Sequence, residues 1–274
     1  MAGVGLRVGL LGAGAMGEAL AGGLLAAGTP ASDVLAAEPD AARRAAVAER
    51  LGIRVTADGA EVVRGSDVVV VAVKPGVVGA ALDGLASLPA EARRRPLWVS
   101  IAAGVTLRAL AAHLPDGARV VRAMPNTPAL VRAGATAFAA NAAATPADRA
   151  AARRLFEAVG YVWEAPSEAL LDAVTGLSGS GPAYVFVLLE TLADAGVAAG
   201  LPRDAAYPLA THTVLGAARL ALETGRHPGS LRDQVTSPGG TTIAGLQQLE
   251  AGGFRAAVQA AVAAATRRAR ELGE

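Results

Sequence analysis

Near the start of the chain, Gly12-Ala13-Gly14-Ala15-Met16-Gly17 carries the G-x-G-x-x-G spacing. An apolar run at residues 7–11 precedes it and a helical pattern follows. Glycine at the first position permits a tight turn, at the second lets phosphates approach the backbone, and at the third lets helix and strand pack closely. The helix N-terminus then presents free N–H groups and the positive end of its dipole to an anion. Glu38, at the end of the next apolar run, is placed to accept hydrogen bonds from a ribose hydroxyl. This combination is chemistry for holding a dinucleotide, NADH or NADPH.

Other residues fall where such a ligand extends. Ala72-Val73-Lys74-Pro75 closes the apolar run that starts at Val68, at the sheet edge where ligands of open α/β sheets bind. Lys74 is the only lysine in the chain, whereas arginines are plentiful, so its retention has a functional reading. Ala102-Ala103-Gly104 follows another run and offers close backbone approach on the nicotinamide side. In Met124-Pro125-Asn126-Thr127-Pro128 two prolines fix a loop, within which Asn126 supplies an amide and Thr127 a hydroxyl.

A second concentration of small and polar residues lies in the later part of the chain. Ser237-Pro238-Gly239-Gly240-Thr241-Thr242 precedes the helical spacing of Ile243, Leu246 and Leu249. Gly239 to Thr242 therefore form a helix N-terminus with exposed N–H groups, a carboxylate site built of backbone. Ordinary capping by a Ser or Thr side chain is the alternative for the segment taken alone. Earlier, Asp172 to Tyr184 contains Gly-Leu-Ser-Gly-Ser-Gly-Pro.

The elements that must position these groups follow from periodicity. Apolar runs at 7–11, 34–37, 68–73, 97–101 and 119–123 alternate with helical patterns, which predicts a doubly wound parallel sheet covered on both faces, a Rossmann-like α/β domain. Further strands are expected at 136–140 and 161–164, flanking a helix that Pro146 starts and Gly160 stops. Beyond Ala165-Pro166-Ser167 the strand patterns cease and the remainder reads as all-α. The expected domains are 1–164 for the dinucleotide and 165–274 for substrate and dimerisation. The later helices are Ala- and Leu-rich on more than one face and must be buried, which predicts a homodimer through them.

Composition narrows the function. Hydrophobic residues make up 53% and aromatics 3%, so the core is built of Ala, Val and Leu. A net charge of +1 supplies no field for nucleic acid or an anionic membrane. There are no cysteines, which removes disulfides, thiol chemistry and Cys-ligated metal and is compatible with a reducing cytoplasm. No metal site is read. The nearest stretch to a membrane span is broken by Gly179-Ser180-Gly181-Pro182, so a soluble, cytoplasmic protein is expected.

Taken in order along almost the whole chain, these strings resemble the pyrroline-5-carboxylate reductase family. The resemblance implies reduction of the cyclic imine L-1-pyrroline-5-carboxylate to L-proline, the last step of proline biosynthesis. It also implies a dimer of interlocked helical domains, in some members assembled as a pentamer of dimers, with sites that draw on both partners. It implies that Gly239, Gly240, Thr241 and Thr242 grip the substrate carboxylate, with Gln234 and Ser237 in the same loop. Thr242 matches the threonine that bonds the imine nitrogen, and Glu168 matches an acid near the substrate. Glu168 also reads as a plain first-turn helix charge. One departure stands out. The family places small polar residues at the cofactor 2′-phosphate, whereas this chain has Glu38, and Gly59 where an asparagine is common. An acid there favours a free ribose hydroxyl, so NADH is expected to serve at least as well as NADPH, with Arg43 and Arg44 as partial offsets.

Two other readings compete. A β-hydroxyacid-dehydrogenase-like enzyme shares the layout, but its interdomain-helix lysine has no counterpart in residues 182–192. A non-catalytic NAD(P)-sensing protein has no use for the intact Ser237 to Thr242 loop. His113, His212 and His227 lie outside these strings, and no Gly-x-Ser-x-Gly elbow surrounds Ser178 or Ser180.

Overall fold

In the computed structural model, residues 5–273 are described. One eight-stranded sheet is formed by β1 (Val8–Leu11), β2 (Val34–Ala37), β3 (Arg54–Thr56), β4 (Val68–Val71), β5 (Leu97–Ser100), β6 (Arg119–Met124), β7 (Gly134–Ala140) and β8 (Gly160–Glu164). The strand order is β3-β2-β1-β4-β5-β6-β7-β8. From β1 the chain winds first toward β3 and then, after β4, in the opposite direction. The crevice outside the carboxyl ends of β1 and β4 is thus the topological switch point at which such sheets bind ligands.

The four valines of β4 show why the sheet is covered twice. Val68 and Val70 join a core with Leu10, Leu97 and Phe138 on one face, and Val69 and Val71 join Val62, Leu82 and Trp98 on the other. Alternate side chains of a strand point to opposite faces, so a strand apolar throughout needs a helical layer on each side.

The sheet differs from the expectation in two respects. β3 was not among the apolar runs, because it is a three-residue edge strand, partly exposed, with Arg54 at its start. β7 runs antiparallel to β6, while the other six pairings are parallel. No crossover helix joins β6 to β7. Only the short turn Thr127–Val131 intervenes, too little chain for a parallel return. The helix after β7 is Pro146–Glu157, where Thr145 and Asp148 form a reciprocal capping box.

The chain divides into two compact units. The first runs to Ser180 and regains the chain from Ala264 on, and the second is Gly181–Ala263. The break lies beyond the expected boundary after residue 164. Leu171 is fully buried with Ala137, Ala139 and Ala165, which fastens the segment after β8 to the sheet. The last helix, Phe254–Gly273, ends in the first unit, where Leu272 packs against Gly104.

The second unit is helical throughout. Gly181–Ala198 and Arg203–Thr224 form a hairpin in which Gly196 lets Ala206 come close. Its buried apolar residues are Ala193, Ala206 and Ala210, while Phe186, Val187, Leu209 and Leu222 are more than half exposed. By length and composition alone, one helical run among the described residues, 170–198, could cross a bilayer.

Candidate functional site

Gly12 follows directly on β1, with its N–H donating to Ala37 O at 2.8 Å. Its φ is +100°, and a Cβ there would stand 2.8 Å from Ala72 O, so only glycine makes this turn beside the end of β4. At Gly17 a Cβ would lie 2.5 Å from Gly12 O, which explains the third glycine by packing. Gly14 is different. It caps the helix Ala15–Ala26 with ordinary φ of −74°, no side chain caps that helix, and a Cβ would meet only Arg43 Nη1 at 3.9 Å. The space over Gly14 is therefore open toward a cleft of about 900 Å³ lined also by Glu38, Arg43, Val73 and Lys74.

That geometry fits a dinucleotide. The turn lies at the switch point, the uncapped helix turns its N–H groups to the cleft, and the second glycine leaves room for a pyrophosphate. Glu38 follows β2, and its carboxylate is fixed on both sides. Oε2 accepts from Ala13 N–H at 3.2 Å, and Oε1 from Asp40 N–H at 3.2 Å. The two arginines after it diverge. Arg44 donates to the carbonyls of Glu38 and Pro39, 2.9 and 2.7 Å away. Arg43 faces the cleft, and among the described residues its guanidinium and the Lys74 ammonium enter no ion pair.

Of the expected cofactor residues, Gly12, Gly14, Glu38, Ala72, Val73 and Lys74 line this cleft together. Ala13 is buried behind them, Ala15 and Met16 open the helix, and Pro75 starts the turn Pro75–Val77. The 102–104 turn and Asn126 do not line it. Ala102 is buried, and the space at Gly104 is taken by Leu272, whose carbonyl oxygen would lie 3.2 Å from a Cβ. The Asn126 amide donates to Ser178 O at 3.2 Å and Oγ at 3.3 Å and accepts from Ala135 N–H at 2.8 Å, so it ties a loop in place.

Glu168 meets partners the sequence did not announce. Its Oε1 accepts from Arg122 Nη1 at 2.9 Å and from Leu107 N–H at 2.7 Å. Arg122, only 7% exposed, also reaches Asp172 at 3.4 Å. An arginine within the apolar run of β6 is the signal that could have revealed this cluster, since a buried charge needs a partner. Glu168 is thus neither a plain helix charge nor detached from the sheet.

In the second unit the helix Thr241–Ala251 begins on Gly240 with no side-chain cap, so the capping alternative does not apply. Gly240 N–H donates to Ser237 O at 3.0 Å, and Ser237 Oγ fills the space a Cβ would need at Gly240. Gln234 ends the preceding helix Pro228–Gln234. Thr242 is half-buried in the first turn. His113 pairs with Asp83 at 2.7 Å, and His227 accepts from Gly229 N–H at 3.1 Å as a helix cap.

A glycine turn at a switch point, an acid fixed after β2 and a helical unit rich in outward apolar residues place the chain among dinucleotide-dependent oxidoreductases of the Rossmann class. Comparison with known proteins carries this to a family. Residues 7–104 match the family described as NADP oxidoreductase coenzyme F420-dependent, and residues 168–272 match that described as pyrroline-5-carboxylate reductase dimerisation. A pyrroline-5-carboxylate reductase of Synechocystis is 49% identical over 98% of this chain and 99% of its own length. One from Escherichia coli is 43% identical over 92% of this chain and 93% of its own. The solved Coxiella burnetii pyrroline-5-carboxylate reductase superposes with a TM-score of 0.91 at 37% identity, over 98% of this chain and 99% of that one. A Plasmodium falciparum pyrroline carboxylate reductase with NADP bound gives 0.87 at 29% identity, with full coverage of both. The chain belongs to the pyrroline-5-carboxylate reductase family, an imine-reducing, NAD(P)-dependent group of enzymes, which sets aside the hydroxyacid dehydrogenase and sensor readings.

Proposed function

We propose that this chain reduces L-1-pyrroline-5-carboxylate to L-proline in the cytoplasm, as the closing step of proline biosynthesis, and takes NADH at least as well as NADPH. The bound cofactor supplies the hydride. The observation that carries the substrate reading is the helix Thr241–Ala251, which opens on Gly240 without a side-chain cap. Its first N–H groups, at Thr241 and Thr242 after the Gly240 cap, suit a carboxylate, and Gly239 leaves its side of the approach clear of bulk. Thr242 orients the imine nitrogen or relays a proton to it from water, because a threonine hydroxyl is itself a poor acid. Gln234 and Ser237 shape the loop. Glu168 serves the substrate side through Oε2, the oxygen not engaged by Arg122 and Leu107.

The cofactor reading assigns the 102–104 turn and Asn126 to the nicotinamide side, the glycine turn to the pyrophosphate and Glu38 to the adenosine ribose. Glu38 supports the NADH part, since a carboxylate held by two backbone N–H donors favours a free hydroxyl over a phosphate. The active form proposed is a homodimer through the helical region, with a pentamer of dimers as the higher assembly. The apolar residues that the second unit leaves exposed support it, as does the dimerisation family match.

Proline-dependent reduction of NAD⁺ and NADP⁺, followed spectrophotometrically at alkaline pH, tests the activity. Cofactor binding without turnover of proline or pyrroline-5-carboxylate would overturn it. A kcat/KM favouring NADPH by more than about tenfold, or ~1.4 kcal/mol, would overturn the NADH preference alone.

A further inference from the structure

Ser100, the last residue of β5, is fully buried and stands beside Arg122 of β6 in the sheet register. The 102–106 turn leaves the sheet here, with Ala102 N–H donating to Ser100 Oγ at 3.3 Å. It ends at the helix Leu107–Ala112, where Thr106 Oγ1 accepts from Ala109 N–H at 3.1 Å as an ordinary cap. The helix start is therefore provided for locally. Leu107 N–H nonetheless donates to Glu168 Oε1 at 2.7 Å, across 61 positions of sequence, and the same oxygen accepts from Arg122 Nη1 at 2.9 Å. Asp172 meets Arg122 Nη2 at 3.4 Å and steadies the guanidinium plane. A closed circuit results: the turn departs beside Arg122 and is tied back to Arg122 through one carboxylate oxygen.

We propose that Glu168 is a positioning residue for hydride transfer: through Oε1 it fixes the far end of the 102–106 turn against β6, and thereby sets where the nicotinamide ring lies. This rests on the reading above that the turn borders the nicotinamide. β5 is the neighbour of β4 in the sheet, so the turn after β5 stands at the same carboxyl edge as the dinucleotide cleft, one strand further along. Hydride transfer is sensitive to such placement, since a displacement of about 1 Å can cost roughly a hundredfold in rate. A carboxylate suits the task because one oxygen must accept from a backbone N–H and also meet the charge of a guanidinium only 7% exposed. Oε2 stays available to the substrate side, so one residue serves both reactants through different oxygens.

The experiment is calorimetric titration, without substrate, of NADH and of ADP-ribose, which shares the rest of the cofactor but lacks the nicotinamide. Glu168→Ala is expected to weaken NADH by about fivefold or more and ADP-ribose by less than about twofold. Glu168→Gln keeps an oxygen for the Leu107 N–H but loses the charge that holds Arg122, and should fall between Glu168→Ala and wild type. It carries the test alone if Glu168→Ala does not fold. Equal weakening of both ligands would make Glu168 a general support of the fold and overturn the proposal, as would unchanged affinity for both. Ala103→Leu, which adds bulk to the turn itself, separates the proposal from the reading beneath it. If Ala103→Leu leaves NADH affinity as in wild type, the turn does not border the nicotinamide and both fail. If it weakens NADH alone while the Glu168 variants bind like wild type, only the positioning role is overturned.

Discussion

Thr242 and Gly14 are the residues at which site and scaffold separate most cleanly. Thr242 sits half-buried in the first turn of a helix with no side-chain cap of its own, so removing its hydroxyl leaves the helix start intact. Thr242→Ala is expected to lower turnover by at least about tenfold, the usual size of a positioned proton-transfer effect, with cofactor affinity unchanged. An unchanged kcat would remove Thr242 from the chemistry. Gly14 has an ordinary φ of −74° and open space where a Cβ would go. Gly14→Val is therefore expected to cost only about 1 kcal/mol of stability, because valine caps a helix less well than glycine, while weakening cofactor binding at least about tenfold, seen by comparing melting curves with titrations. The glycine turn and the Gly239 to Thr242 string were legible in the sequence because their glycines answer local demands, a left-handed backbone at Gly12 and Gly239, close packing at Gly17 and open space at Gly14. Arg122 and the free guanidinium of Arg43 were not, since pairing or its absence depends on residues brought together only by the fold.

At the scale of elements, the link between β6 and the segment after β8 is electrostatic. Arg122 on β6 holds Glu168, which also accepts the Leu107 N–H, and Asp172. Arg122→Met leaves two carboxylates, 28% and 18% exposed, without their cation. A loss of about 3 kcal/mol is expected from urea unfolding at fixed protein concentration, at the lower end for broken buried pairs because the carboxylates keep some water. A second pair joins the starts of β1 and β4. The Arg7 side chain lies 3.0 Å from Asp67, and its hydrogen bond holds the Asp67 carboxyl below the usual range while the guanidinium is raised. A depressed carboxyl contributes stability above its unfolded pKa and loses it as pH falls through the folded one. The stability difference between wild type and Asp67→Asn should thus stand at neutral pH and shrink below about pH 4, as acid unfolding would show. Strands buried on both faces announced themselves by runs of Val and Leu. The reversal of β7 and the short β3 did not, because connection length and edge position leave little mark on hydrophobic periodicity.

For the whole molecule, the second unit is the informative part. With Ala193, Ala206 and Ala210 as its buried apolar residues, it holds too little core to stand alone, and apolar surface on this scale marks an interaction site. Phe186, 62% exposed, is a place to test this. In the proposed homodimer, Phe186→Glu is expected to shift the chain toward monomer in sedimentation at micromolar concentration, and a dimer unaffected by the change would place the interface elsewhere. All-α character was readable from composition and turn residues, but the extent of the first unit was not, since contacts 168 residues apart, between Gly104 and Leu272, close it. That closure orders events during synthesis. The sheet can assemble as soon as β8 has left the ribosome, yet the loop at Gly104 stays uncovered until the chain near Leu272 emerges, after the whole helical excursion has been made. A nascent chain stalled before that point would expose a sheet unit complete in its hydrogen bonding and open at that loop, a state for chaperones to shield that the finished molecule no longer presents.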